Sequence, residues 1–490
     1  MRGAAVAALA ILAGALRLPQ LERRPMHADE AILADKFGTL LATGRYDYDP
    51  RDYHGPMLAY CTLPSAYLSG RTSYAQLTET TLRIVPAIAG ALLALSPLLF
   101  TGAIGFSAAW IAAALIAVSP AMVYYSRDYI PEMLLALWAA AFLWSLWHAH
   151  RRPAPAVWAL AGCLAGMMLA TKETALLALV SAGVASAVAF RPRGVSWRSA
   201  GAFAAGLVFA VSILLAPLWR WGVMTLAIQS YLHRGLAPGW HAHPWHYYLD
   251  LLTGFSGGPG ETFLLALAIA GLVIAFRSDK PLLRFAAWYG ILLAFVYSVI
   301  PYKTPWCVIS MLYPFALLAG VAAETFVRLW RPPVLLLLTA VMALSGWEAW
   351  QASTIYASDP RNQWVYAQTG TGMYEIRDRV QAFVQASEQG RQVAVEIYSR
   401  ENLWPLPWYL RGYPNVRWWR AVPAEGRPAP IVLASPAMEP DLIHKFYESP
   451  PPGERELYMR MFPGYVELRP GVEIRGYVSK QLWDKLEQGQ

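Results

Sequence analysis

Long apolar runs separated by short polar turns dominate the chain. Runs of about 17–25 residues fall near 3–18, 80–101, 104–123, 130–148, 155–172, 174–190, 200–217, 261–277, 281–300, 305–327 and 333–350. An α-helix rising 1.5 Å per residue needs roughly this length to cross a hydrocarbon layer of about 30 Å. The pattern predicts a polytopic α-helical membrane protein with about eleven transmembrane helices. The opening stretch, M-R-G-A-A-V-A-A-L-A-I-L-A-G-A-L-R, has the look of a signal peptide. Its nearest small-residue site, A-G-A, is followed by Leu16 and Arg17, and many spans come later, so it reads as an uncleaved first helix.

Two polar stretches interrupt this pattern and a third ends it. Residues 29–43 show helical spacing of apolar positions and stop before Gly44. Residues 56–69 are apolar but too short to span, which predicts an interfacial helix. Beyond about 351, strand-like segments (Q-V-A-V-E-I-Y, P-I-V-L-A-S, Y-V-E-L-R) alternate with amphipathic stretches, notably 373–387. The expected organisation is a transmembrane domain over 1–350, with outer loops 19–79 and 218–260, and a soluble α/β domain over 351–490. There is no internal repeat.

Charge orients the chain. One set of turns carries Arg151 and Arg152, then Arg191, Arg193 and Arg198, then Arg277, Lys280 and Arg284, then Arg328 and Arg331. Short, basic, nearly acid-free turns mark the cytoplasmic face. The alternate turns hold the mixed polar chemistry, and an odd helix count puts the C-terminal region on their side. The expectation is a multi-pass cell-membrane protein whose active site and C-terminal domain are extracytoplasmic.

Composition agrees with a membrane class. The 490 residues are 56% hydrophobic and 15% charged, against about 25% charged in a soluble protein, and the mean hydropathy is +0.34. The net charge of +8 is scattered at the ends of apolar runs. With no basic stripe of base-stacking aromatics, it points to topological anchoring, not to a nucleic-acid partner. Cys61, Cys163 and Cys307 lie far apart and form no C-x-x-C pair, so no disulfide framework or cysteine zinc site is indicated.

The candidate chemistry sits in the outer turns. H-A-D-E supplies His27, Asp29 and Glu30. Either the acids cap a helix and offset its dipole, or Asp29 acts as a general base with Glu30 orienting it. R-D-Y-I-P-E supplies Arg127, Asp128 and Glu132. Glu132 lies just inside the outer end of a span, where a carboxylate needs a partner: Arg127, Lys172 or a substrate. A-T-K-E-T places Lys172 and Glu173 in a very tight turn, suited either to snorkelling or to binding. Y-K-T-P-W supplies Tyr302, Lys303 and Trp306. The lysine suits a phosphate oxygen, and the aromatics suit either a substrate or an interfacial belt. His54 lies in Y-D-P-R-D-Y-H-G-P. His241, His243 and His246 resemble metal-ligand spacing only loosely, as does the D-x-D at Asp47 and Asp49, so a divalent metal is a possibility without a committed site. Trp240 and Trp245 are equally suited to stacking on a sugar or lipid.

No charged residue falls at the middle of a predicted span, which argues against an ion-coupled transporter. The ordered set H-A-D-E, R-D-x-x-P-E and K-E resembles the GT-C membrane glycosyltransferases, with the protein mannosyltransferases and the aminoarabinose transferases of lipid A as reference relatives. Y-D-P-R-D-Y-H-G-P, A-T-K-E-T, Y-K-T-P-W and W-V-Y-A-Q-T look most like the family associated with flippase activity in archaeal N-glycosylation. The resemblance covers about 1–370, and W-P-L-P-W-Y-L-R-G-Y in the tail. It implies a polyprenyl-phosphate sugar as donor, an acceptor hydroxyl on a lipid, glycan or protein, and inversion at the anomeric carbon. It places the catalytic acid at Asp29 and a second acid at Glu132. The alternative it carries is a lipid-linked glycan flippase, or its accessory protein, using the same phosphate ligands without bond cleavage.

Overall fold

A computed structural model describes residues 2–51, 54–190, 196–215, 223–237, 239–254, 261–451, 453 and 455–489. Asp52, Tyr53, Arg191 and Arg193, residues 218–222, 238 and 255–260 of the second outer loop, and the Trp240 side chain lie outside the described residues.

All eleven apolar runs are helical. Among the described residues, six helices are long and apolar enough to cross a membrane: Glu79–Ile104, Glu132–Arg151, Trp197–Leu214, Pro281–Val299, Pro305–Leu329 and Arg331–Thr354. Four more, Phe106–Val118, Pro155–Thr171, Ala175–Ala189 and Thr262–Arg277, are apolar but shorter. The run at 104–123 is not the single helix its hydropathy predicts. Ser119 breaks it, its hydroxyl accepting the Met122 N–H at 3.2 Å, and Pro120 opens a new helix, Pro120–Tyr125. A proline at the first helical position lacks only an N–H that would have had no partner inside the helix.

The chain divides into two compact units. The first comprises Met1–Leu21, Thr39–Arg71 and Thr78–Tyr366; the second comprises Glu22–Gly38, Thr72–Leu77 and Ala367–Gln490.

The first unit is a helical assembly built on small residues. A Cβ on Gly162 would lie 2.0 Å from the Phe203 carbonyl oxygen, and one on Gly206 would lie 2.0 Å from that of Ala159. The helices Pro155–Thr171 and Trp197–Leu214 therefore touch backbone to backbone, as helices in lipid do where dispersion and not water exclusion drives contact. The buried guanidinium of Arg17 donates to the carbonyls of Ala117 and Ile116, at 2.8 and 3.0 Å, closing the end of Phe106–Val118.

The second unit carries a five-stranded sheet in the order β2-β1-β3-β7-β4. Its strands are β1 (Val395–Tyr398), β2 (Val416–Trp419), β3 (Ile431–Ala434), β4 (Tyr458–Arg460) and β7 (Arg475–Ser479). β1 pairs parallel with β2 and β3, whereas β7 runs antiparallel to β3 and β4. β1 and β3 are buried at every position, which is why they read as apolar runs and do not alternate. Glu396, the one charge in β1, is satisfied by the Tyr398 hydroxyl at 2.7 Å and the Ala429 N–H at 3.0 Å. The expected strand in Y-V-E-L-R is β5 (Glu467–Arg469), which pairs with β6 (Val472–Glu473) in a separate hairpin. The expected amphipathic helix is Gly372–Ala386, packed against Lys480–Gln488 through Phe383 and Trp483.

Candidate active site

Within the first unit, the tight turn between Pro155–Thr171 and Ala175–Ala189 gathers charges from three segments. Lys172 Nζ pairs with Glu132 Oε1, which opens the helix Glu132–Arg151, and both side chains are nearly fully buried. Glu173 turns to a different partner. His54 Nδ1 lies 2.8 Å from its Oε2, and the Tyr48 hydroxyl donates to its Oε1 at 3.3 Å. Burial works to raise the Glu173 carboxyl; the His54 ring and its hydrogen bond, with Lys172 beside it, outweigh that and hold it below its ordinary value. Two adjacent residues of opposite sign thus bind two separate segments into one site.

Gly55 makes the second contact possible. A Cβ there would sit 2.2 Å from the Ala170 carbonyl oxygen, so only glycine lets the His54 loop reach the end of Pro155–Thr171. The Tyr46 hydroxyl donates to the His54 carbonyl at 2.9 Å and fixes the loop from the other side. Glu132 Oε2 is buried without a hydrogen-bond partner among the described residues. A buried carboxylate oxygen in that condition is a place for a donor to enter.

The Y-K-T-P-W turn forms a neighbouring cluster. Lys303 is buried, and its ammonium donates to the carbonyls of Ile300 and His243, at 2.5 and 3.3 Å. Tyr302 pairs with Ala242 in an isolated antiparallel bridge, its ring centroid 4.6 Å from that of His241. His241 Nδ1 bonds the Tyr366 hydroxyl at 2.7 Å, and Tyr366 meets Trp306 edge-on at 5.7 Å. Tyr231 joins this cluster to the first: its hydroxyl is in electrostatic reach of Glu173, Cys307, Glu132 and Tyr302. Cys307 is likewise in reach of Lys172.

Arg127 belongs elsewhere. Its guanidinium donates to the carbonyls of Leu16, Arg17 and Gln20, at 3.4, 3.1 and 3.2 Å, closing the C-terminus of Arg2–Arg17. Asp128 is buried in the turn that follows.

In the second unit, H-A-D-E starts the helix Ala28–Thr43, and its two acids have divided tasks. Glu30, fully buried, accepts the His27 backbone N–H on Oε2 at 2.8 Å. This is the reciprocal half of a capping box, in which the third helical residue closes the first turn. Asp29 donates its own N–H to His27 Nδ1 at 3.1 Å, and its carboxylate stays 39% exposed with that ring nitrogen at 3.9 Å. Glu30 thus fills the capping role, while the partly exposed Asp29 carboxylate sits at a positive helix end. Arg469 lies in electrostatic reach of Asp29. W-P-L-P-W-Y-L-R-G-Y anchors the segment: the Tyr409 hydroxyl accepts the Met26 N–H at 2.9 Å, and Arg411 donates to the carbonyls of Tyr74 and Leu77.

The histidines of the second outer loop do not converge. His241 bonds Tyr366, His243 stacks on Tyr247 at 4.2 Å, and His246 bonds Asp250 at 2.6 Å. Among the described residues, no group of three or more His, Cys, Asp or Glu side chains could hold a metal ion. Sequence reasoning passed over Tyr231, Tyr366 and Arg469. Their only signals are a tyrosine in the helix Val223–Leu236, one in W-V-Y-A-Q-T, and an arginine in a strand, all too common to single out.

Sequence and fold comparisons place the chain among known proteins. Residues 53–221 match the family model of dolichyl-phosphate-mannose-protein mannosyltransferases. The structure is similar to ArnT from Cupriavidus metallidurans in the apo state, with a TM-score of 0.67 and 16% identity over 96% of this chain and 97% of that one. It is similar, at a TM-score of 0.66 with the same identity and coverage, to that protein bound to undecaprenyl phosphate. Archaeal oligosaccharyltransferase AglB from Archaeoglobus fulgidus, in complex with an inhibitory peptide and a dolichol-phosphate, gives 0.55 and 14% over 89% of this chain and 70% of that one. No curated protein matches significantly. The chain is a membrane protein with an added small-sheet unit. Its fold is that of the ArnT and AglB structures, and the match to the mannosyltransferase family model covers residues 53–221.

Proposed function

We propose that the protein is a membrane glycosyltransferase that moves a sugar from a polyprenyl-phosphate donor to an acceptor hydroxyl on a lipid, glycan or protein, with inversion, at the extracytoplasmic face. One observation carries the reading: Glu30 closes the helix turn, so the Asp29 carboxylate is left unspent beside His27. A carboxylate presented in this way suits a general base. The undecaprenyl phosphate bound to ArnT and the dolichol-phosphate bound to AglB support a lipid-phosphate carrier.

In the reaction, Asp29 takes the proton of the acceptor hydroxyl as its oxygen forms a bond to the anomeric carbon. The bond from that carbon to the phosphate oxygen breaks on the opposite face, and the lipid phosphate leaves with the electron pair. Lys172, oriented by Glu132, and Lys303 supply positive charge for the departing phosphate, an interaction that strengthens as charge grows in the transition state. Arg127 is assigned to the helix clamp it forms. The extracytoplasmic placement of 351–490 rests on the basic turns of the opposite face.

The test is direct: incubate purified protein with a labelled polyprenyl-phosphate hexose and acceptor extract, and look for released lipid phosphate. Label crossing a liposome with its glycosidic bond intact would favour the flippase reading instead.

A further inference from the structure

The second unit holds a cleft that the proposed chemistry leaves unused. It measures about 630 Å³ and opens at the carboxyl ends of the parallel strands β1 and β2. Ligands of open parallel sheets bind at this edge because strand ends and the loops leaving them present side chains around a crevice. The volume is in the range of a small-molecule site and larger than a single hexose ring.

The lining has a distinct chemistry. Trp404, Trp418 and Trp419 contribute three indoles, and Arg400, Arg420 and Glu401 contribute charge. Trp418 and Trp419 end the edge strand β2 at 44% and 37% exposure. Adjacent exposed tryptophans on an edge strand are costly to leave in water and invite unwanted pairing, so their presence calls for an occupant. Arg400 and Arg420 form no hydrogen bond or ion pair among the described residues.

The loop facing them is built to a fixed shape. Ser399 Oγ accepts the Glu401 N–H at 3.0 Å and Asn402 Oδ1 accepts the Trp404 N–H at 2.9 Å. Arg469 donates to the Asn402 carbonyl at 2.6 Å and to that of Trp404 at 3.4 Å. The same guanidinium is in electrostatic reach of both Glu401 and Asp29, so a single residue joins the cleft wall to the candidate base.

We propose that this cleft binds an acidic oligosaccharide, the glycan of the acceptor, with Trp404, Trp418 and Trp419 stacking on sugar faces and Arg400 and Arg420 holding its anionic group. Indole faces meet the C–H faces of pyranose rings, and a guanidinium fork matches a carboxylate or phosphate. Glu401 accepts from sugar hydroxyls. The proposal deepens the transferase reading and rests on it for the word acceptor.

The test applies full-length protein in detergent to an array of immobilised saccharides, uronate-bearing, phosphate-bearing and neutral. Wild-type protein is expected to be retained on acidic saccharides over neutral ones. Trp418→Ala/Trp419→Ala is expected to lose at least tenfold in signal, and Arg400→Gln/Arg420→Gln to lose the acidic preference. All four side chains are exposed, so an unchanged melting temperature verifies that the variants fold. Retention of no saccharide, or wild-type binding by both variants, overturns the proposal. The array holds no lipid donor, so a negative result counts against the cleft and not against glycosyl transfer.

Discussion

The Glu30 carboxylate accepts the His27 backbone N–H at 2.8 Å, and this contact separates the functions of two adjacent acids. Glu30 is fully buried and holds the helix start; Asp29 is more than a third exposed and does not. Glu30→Ala is therefore expected to destabilise the second unit by about 0.5–2 kcal/mol, the usual range for a lost cap. Glu30→Gln, whose amide oxygen still accepts, is expected to lose less. Asp29→Ala is expected to leave the melting temperature nearly unchanged. Thermal melts of the three variants check this, and a larger loss at Asp29 than at Glu30 would reverse the assignment.

Lys172 and Glu132 form a buried pair, so either single truncation strands a charge away from water. Lys172→Ala and Glu132→Ala should each cost about 3–5 kcal/mol. The double variant Lys172→Met/Glu132→Leu should recover most of that stability and still lose lipid-phosphate affinity. Melting temperature and polyprenyl-phosphate binding, measured together, separate the structural part of the pair from its ligand part.

Glu173 gives the first unit an acid sensitivity of known sign. Its carboxyl is held below the ordinary 4.5, so the folded state favours the ionised form. The resulting stability is fully present above pH 4.5 and is lost as pH falls through the lower folded value. Melting temperature followed downward from pH 6 should fall less steeply below about 4.5 in Glu173→Gln than in wild type, since the variant lacks that ionisation. Identical slopes would remove Glu173 from the account.

Gly55 holds the His54 loop against Ala170 at a distance no side chain tolerates. Gly55→Ala places a Cβ 2.2 Å from a backbone oxygen, and the loop must move. A stability loss of about 1–3 kcal/mol is expected from overpacking, with weakening of the His54–Glu173 contact. A structure of the variant, or a double-mutant cycle with His54→Gln, shows whether the two effects are coupled.

Much of this was legible in the sequence because a bilayer imposes a length and a hydropathy on every span. Among the described residues all eleven runs fall on helices, of which six are long and apolar enough to cross a membrane, and the run at 104–123 is broken at Ser119-Pro120 by a cap followed by a proline. The cost of an unpaired carboxylate near a helix end demanded a partner for Glu132 but left Arg127, Lys172 or a substrate open; the structure supplies Lys172. The His54–Glu173 contact had no such signal, because it depends on a long loop folding back over a glycine. The split of Asp29 from Glu30 was equally hidden: both acids fit a cap, and only coordinates show which one closes it. The helix-end carbonyls that Arg127 closes leave no mark in sequence, which offered it only as a phosphate ligand or a partner for Glu132. The edge strand β2 and the tryptophan cleft beside it were missed, since V-R-W-W lacks the apolar run that marks the buried strands.

The central claim is that Asp29 is the base for glycosyl transfer from a lipid-phosphate sugar. The most direct measurement is single-turnover release of lipid phosphate from a labelled polyprenyl-phosphate hexose, in wild type and in Asp29→Asn, with donor affinity measured in parallel. The account predicts release by wild type, a loss of about 10²–10⁴ in rate for the variant, and an unchanged donor Kd. Wild-type release by Asp29→Asn, or intact donor crossing the bilayer without any release, would contradict it.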